Sequence, residues 1–188
     1  MDFLVNNFFF LVINCYRFSR MSMIQPCIDL SYTIESFQSI YTKELKNLYK
    51  KDTGFEFSLR NQILLYLMGK KNCIIVINKS YKKELLGFAY FYFNNRDIHD
   101  CTIHLAHISV CSSHRGIGIS KKLLNHAIIC FSSCSQLKGI SSRISVNNIP
   151  SMKLHLSRGF EIVEKYFDET MNEERVYVIK KFDRENDK

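Results

Sequence analysis

Two glycines set two apart, Gly116 and Gly118, stand within "ISVCSSHRGIGISKKLLNHAI" (residues 108–128) of a chain that has only seven glycines. An apolar run ends at Val110 and a helical pattern begins after the glycines, so the stretch reads as a strand turning into a helix. Such a turn aims the helix's first unpaired N–H groups at the carboxyl edge of a sheet, where they and the helix dipole attract an anion. Glycine lets the anion touch the backbone, and Arg115, Lys121 and Lys122 add positive charge. The expected anion is a diphosphate or a group like it. The spacing R-G-I-G-I-S is neither the GxGxxG of a dinucleotide fold nor the GxxxxGK[ST] of a P-loop.

The elements that must hold this turn follow from apolar spacing. "TIESFQSIYTKELKNLYKK", from Thr33, places Ile34, Phe37, Ile40, Tyr41, Leu45 and Leu48 on one helical face, and "SLRNQILLYLMG" predicts a second helix. "CIIVIN" (73–78) and "LLGFAYFYF" (85–93) read as a hairpin joined by the charged turn 79–84. "NNRDIHD" is expected to be a turn, "CTIHLAHISV" (101–110) a third core strand, and residues 118–131 a helix. A strand over 139–146, a helix over 150–157 and two last strands near "FEIVEKYF" and "RVYVIKKF" complete the order.

Composition bounds the fold and the partners. With 188 residues, 46% of them hydrophobic, the chain has enough for one domain with a full core. The formal net charge of +8 favours anionic partners. The lysines and arginines are dispersed, without an aromatic-basic signature, so nucleic acid is not expected. Seven cysteines with no CxxC pair predict neither a disulfide framework nor a metal site and fit a reducing, cytoplasmic setting. The apolar segment Phe3 to Ile13 is well short of the roughly 20 residues of a spanning helix, and its flanking charges are wrong for a secretory signal. Residues 1–22 are therefore expected to form an apolar extension lying on the domain or preceding a start at Met21 or Met23, with a weak membrane-surface contact as the other reading. Residues 23–183 form the single domain and 184–188 a charged tail; the protein is expected to be a monomer or a homodimer with no membrane span.

The order of residues in "VCSSHRGIGISKKLL" resembles motif A of the GNAT superfamily of N-acetyltransferases, [QR]xxGx[GA], with Arg115 first, Gly118 fourth and Ser120 sixth. Ser120 departs from the pattern and brings a side chain close to the anion. "NIPSMKLHLSRGF" (148–160) is similar to a second family segment, NxxAxxLY…GF, through Asn148, Ser151, Leu154, Gly159 and Phe160, with His155 in the usual tyrosine position. The resemblance spans roughly residues 33–182. It implies an α/β fold of GNAT type: a central mixed, mostly antiparallel twisted sheet of six to seven strands flanked by about four helices, with the fourth and fifth strands splayed around the ligand. That ligand is acetyl-coenzyme A, with no metal. Its pyrophosphate would lie on Gly116, Ile117, Gly118, Ser120 and Lys121 beside Arg115, and its pantetheine along Ile108 and Val110, reached by Asn148 and Ser151.

The implied reaction is acetyl transfer to a primary amine by direct attack. An alkylamine of pKa about 10.4 must lose a proton first. The family often places a carboxylate for this on the fourth strand, and that position is His104 here. His107 is the rival because a bulge between the two would change which side chain faces the pocket, and water is a third choice. The Val110 N–H would meet the oxyanion and His155 would protonate the leaving thiolate. Partly buried strand histidines with satisfied hydrogen bonds are the alternative for His104 and His107, and a ring packed on the cofactor without proton transfer is the alternative for His155. Cys111 has no partner base that would make it a nucleophile. Asp52, Glu56 and the acidic turn 168–174 would attract a cationic amine or equally be solvated surface charges, and the identity of the amine stays open between small metabolite, amino acid and polypeptide. A non-catalytic acyl-coenzyme A sensor is the rival from another class.

Overall fold

The computed structural model describes residues 2–29, 31–79 and 84–183. The predicted tail 184–188 and most of the turn 79–84 lie outside the described residues. Six helices, α1 (Asp2–Ser19), α2 (Thr42–Thr53), α3 (Leu59–Asn72), α4 (Asn95–Asp100), α5 (Ile119–Ser132) and α6 (Ile149–Leu156), accompany eight strands. The strands are β1 (Cys27–Ile28), β2 (Tyr32–Ser36), β3 (Cys73–Asn78), β4 (Leu85–Tyr92), β5 (Thr102–Val110), β6 (Gly139–Ser145), β7 (Glu161–Asp168) and β8 (Glu173–Lys181). They form one sheet in the order β1-β2-β3-β4-β5-β6-β8-β7. Every pairing is antiparallel except that of β5 with β6, which the α5 crossover connects. The mixed, mostly antiparallel architecture is the expected one, with eight strands in place of six to seven and six helices in place of four.

The additions have physical causes. Residues 33–36, expected to open a helix, pair with β3 from Tyr32↔Asn78 to Ser36↔Ile74. Tyr32 and Ile34 are buried on either side of the less buried Thr33, which is the period of a strand. The helix begins only at Thr42. The predicted turn 94–100 holds the short α4, because Asn94 accepts the Asp97 N–H at 3.1 Å and caps it. The apolar run at the N-terminus forms α1, which lies on the domain, and Phe18, Met21 and Ile24 belong to the main core.

Both faces of the sheet are covered at β3 and β4, which are nearly continuous apolar runs. Phe91 meets Phe131 of α5 on one face at 4.8 Å between ring centroids, while its neighbour Tyr90 meets Phe57, just ahead of α3, on the other at 5.2 Å. The parallel register of β5 and β6 runs only from Thr102↔Gly139 to Leu105↔Ser142. Beyond it β5 continues along β4 to Val110 and β6 continues along β8 to Ser145, so the two part. That separation positions the site.

Candidate acetyl-transfer site

A cleft of about 500 Å³ opens where β5 and β6 diverge, lined from β5 by Ile108, Ser109 and Val110, from the following turn by Arg115, Gly116, Gly118 and Ser120, and from α6 by Asn148, Ser151 and Leu154. Strand alternation tells which backbone groups face it. The Cys111 N–H donates to the Leu86 carbonyl across β4 at 2.8 Å, which turns the N–H and C=O of Val110, and of Ile108 one repeat earlier, to the open edge. The Arg115 Nε donates to the Val110 carbonyl at 3.0 Å from that same side. The edge can therefore pair with an extended, amide-bearing ligand as a further strand would.

At its far end the edge meets the start of α5. Gly118 is the residue before the first helical turn, at φ 87°, and its carbonyl takes the first helical bond from Lys122. The N–H groups of residues 119–121 thus have no carbonyl within the helix. A Cβ at Gly116 or Gly118 would meet nothing within 4 Å, and both residues line the cleft. Both observations fit an anion held by backbone. Ile117 and Lys121 do not line the cleft, and both side chains are exposed. Lys122 is turned away to Asp29, at 2.7 Å, and to the face of Tyr32.

The opposite wall comes from α6, started by Asn148 and by Pro150 in its first turn. The Asn148 Oδ1 accepts the Ser151 N–H at 3.1 Å, so its amide N–H₂ is what remains for a ligand.

Sequence reasoning placed Asp52 near the acceptor but not at the anion cradle. Its carboxylate lines the cleft, pairs with the Arg115 guanidinium and accepts the Ser109 hydroxyl at 2.6 Å. His107 joins this group, with Nε2 at 3.8 Å from Asp52 and the ring between Tyr49 and Phe88. Burial outweighs the carboxylate and lowers the His107 pKa to about 4.

A register shift between Tyr90 and Phe91 makes Ala106 an extra residue opposite β4, so His104 and His107, three apart, face the same side. The structure still does not bring them together. His104 is buried against Tyr92, and its Nδ1 lies 2.8 Å from the Ser141 hydroxyl. That hydroxyl gives its proton to Asp97, so Nδ1 carries the ring proton and Nε2 the lone pair. The fully buried Asp97 also accepts from Thr102 at 2.7 Å and Tyr177 at 3.0 Å. Burial brings the His104 pKa down to about 4 even with Asp97 3.6 Å away. No motif signals this network, since its members come from four elements.

His155 is the buried residue of α6. Its Nδ1 donates to the Ser151 carbonyl at 2.8 Å, its ring packs edge-on to Phe160, and its Nε2 is buried without a hydrogen-bond partner. Burial lowers its pKa, so at neutral pH Nε2 bears a lone pair and has no proton to give. The ring does not line the cleft.

Known proteins share this architecture. The Arabidopsis thaliana Naa50 structure, in complex with the bisubstrate analogue CoA-Ac-MVNAL, is 18% identical over 81% of this chain and 100% of its own, with a TM-score of 0.68. The NatC complex bound to Gag peptide and CoA matches at 18% identity over 82% of this chain and 100% of that one, with a TM-score of 0.70. Diaminobutyrate acetyltransferase EctA from Paenibacillus lautus, in complex with L-2,4-diaminobutyric acid and coenzyme A, matches at 18% identity, 82% and 97% coverage and a TM-score of 0.64. Comparison with the curated proteins yields no match. The family model for the acetyltransferase (GNAT) family matches residues 35–160, a span that takes in the splayed strands, the glycine turn and α6, and the chain belongs to that family.

Proposed function

We propose that the protein transfers an acetyl group from acetyl-coenzyme A to a primary amine, and that the amine is the α-amino group of a polypeptide. The observation that carries the first part is the free edge of β5 running from Ile108 to Val110 straight into the glycine cradle. The cradle and Arg115 would hold the pyrophosphate, and Ile108, Val110 and the Asn148 amide the pantetheine. Bound acetyl-coenzyme A supplies a thioester carbonyl open to attack and a thiol leaving group. The Val110 N–H, fixed on the open edge, stabilises negative charge on that carbonyl oxygen.

The acceptor class follows from basicity. With their pKa values lowered to about 4, neither His104 nor His107 strips an ordinary ammonium at neutral pH. The acceptor must arrive largely as free base. At pH 7 roughly 10% of an α-amine of pKa about 8 is free, against roughly 0.04% of a lysine side chain. Asp52, on the cleft wall beside Arg115, is the carboxylate we assign to attract the amine, and His107, 3.8 Å from it, would take the proton once the nitrogen has begun to bond and become more acidic. Naa50 and NatC, whose structures contain peptide-bearing ligands, share the fold.

Thiol release tests this with two peptides of the same sequence, one with a free N-terminus and no lysine, the other N-terminally blocked with one lysine. The free N-terminus is expected to be favoured by about 10²-fold at pH 7, with kcat/KM rising tenfold per pH unit until the α-amine titrates near pH 8. Equal use of the lysine peptide, or a break near pH 6.5, would overturn the reading. Acetyl-coenzyme A binding without turnover on any amine would make the domain a sensor. His155 acts in this scheme by holding the Ser151 turn, so His155→Phe is expected to lower kcat by less than about tenfold, whereas general acid–base groups contribute about 10²–10⁴-fold. A loss in that higher range at unchanged cofactor affinity would restore the proton-donor role.

A further inference from the structure

Helix α1 is apolar on two opposite sides. Its inner side is spent on the core through Asn14 and Phe18, both fully buried. On the outer side Phe8, Val12 and Tyr16 follow one another at four-residue spacing with Phe9 beside them; the three aromatics are each more than half exposed and Val12 nearly so. A helix apolar all round is normally covered all round. Among the described residues the Arg20 guanidinium lies 5.6 Å over the Tyr16 ring, Phe8, Phe9 and Val12 stay open, and no helix is long and apolar enough to cross a membrane.

From Phe3 onward α1 and the helix beside it carry charge of one sign. Helix α3 lies alongside α1: the Arg60 guanidinium stacks on Phe10 at 4.6 Å, and the Lys71 ammonium donates to the Ser19 carbonyl at 2.9 Å. Arg60, Leu67 and Lys71 fall on one stripe of α3 bordering α1, and Leu67 is more than half exposed. Arg17, Arg20, Lys70 and Lys71 gather at the shared C-terminal end of the two helices. The sequence contains no Asp or Glu from residue 3 to 28 or from 57 to 83.

We propose that the outer face of α1, with the basic rim it shares with α3, docks flat on an anionic lipid surface, Phe8, Phe9, Val12 and Tyr16 entering the headgroup–acyl boundary while the arginines and lysines meet lipid phosphates. Aromatic and aliphatic side chains on one face and a basic border without acids are the composition of an interfacial helix. A second copy of the chain suits the face less well, because a self-complementary contact would set these like charges together with no acid to pair them. The helix would lie in the interface plane, its exposed strip from Phe8 to Tyr16 spanning about 12 Å.

Flotation of the full chain with lipid vesicles tests the proposal. Binding is expected to vesicles of mixed phosphatidylserine and phosphatidylcholine, to weaken as salt is raised, and to be at least about tenfold weaker to phosphatidylcholine alone. Phe9→Glu/Val12→Glu should abolish it while acetyl-coenzyme A affinity and thermal stability stay at their original values, and Arg20→Glu/Lys70→Glu should remove the preference for anionic lipid. No flotation of the original chain, or undiminished flotation of Phe9→Glu/Val12→Glu, would overturn it. So would a concentration-dependent dimer that the same pair of substitutions dissociates, since the face would then be occupied by a second copy.

Discussion

Gly118→Asp is expected to abolish acetyl-coenzyme A binding, a loss of at least about 10²-fold by titration calorimetry, while the far-ultraviolet circular dichroism of the protein stays unchanged. Two effects act together. At φ 87° an L-residue is strained, so the turn that aims the first N–H groups of α5 shifts. The added carboxylate also stands beside the anion cradle, because Gly118 lines the cleft and a Cβ there meets nothing within 4 Å. Repulsion of a diphosphate at such range, added to loss of backbone contacts, exceeds the few kcal/mol that a 10²-fold effect requires. Gly54 supplies the control. It ends α2 at φ 77°, with equally open space around it and no place in the cleft lining, so Gly54→Ala carries the same kind of backbone strain without touching the ligand. Gly54→Ala is expected to cost stability and leave affinity as it was. Full affinity in Gly118→Asp would separate the glycine turn from the cofactor and remove the basis for the acetyl-transfer reading.

That turn was legible in the sequence because each part of it is local. A strand, two glycines and a helix within about twenty residues already fix where N–H groups point, and Asn148 with Pro150 marks the start of α6 in the same way. Strands β3 to β6 were legible for a similar reason, being long apolar runs between clear turns. Misreading began where two periods coincided. Ile34, Phe37 and Tyr41 satisfy a helical spacing, yet Tyr32 and Ile34 alone satisfy that of a strand, and the pairing of Thr33–Ser36 with β3, some forty residues away, decides between them. Asn94 with Asp97 three residues on is a helix-start signal that could have found α4.

The site's second half was not legible. Asp52 and Arg115 are 63 residues apart, and only the approach of the α2 C-terminus to the end of β5 makes them partners. The extra residue at Ala106 leaves no mark in "HLAH", so spacing alone could not place His104 and His107 on one face. Their low pKa values are also tertiary: ordinary imidazoles in composition, they lose basicity through the side chains packed over them from α2, β4 and β6. The proton chemistry of the site is thus set by burial and not by residue type.

Removing residues 2–20 is expected to take much of the protein's stability with it, contrary to what a short apolar extension implies. Asn14 is the reason. Fully buried, it donates to the Phe93 carbonyl at 3.0 Å and accepts the Phe93 N–H at 2.7 Å, standing in for a strand partner at the end of β4. Phe18 packs its ring at 5.0 Å from that of Phe93, and Phe10 lies 5.5 Å from Tyr92. Losing Phe18 alone costs about 3–5 kcal/mol. The Phe93 backbone left without partners adds about 1–3 kcal/mol. Against a total stability of about 5–15 kcal/mol, the truncated chain should either lie in the insoluble fraction or melt at least about 10 °C lower. Asn14→Leu separates the polar contribution from the packing one, since it keeps the volume and strands both Phe93 groups in an apolar setting. It should lower the melting temperature by about 5–10 °C, with α1 still in place. A truncated protein that stays soluble and melts with the full chain would mean that α1 contributes nothing to the fold, and the burial of Phe18 and Asn14 could then not be the arrangement in solution.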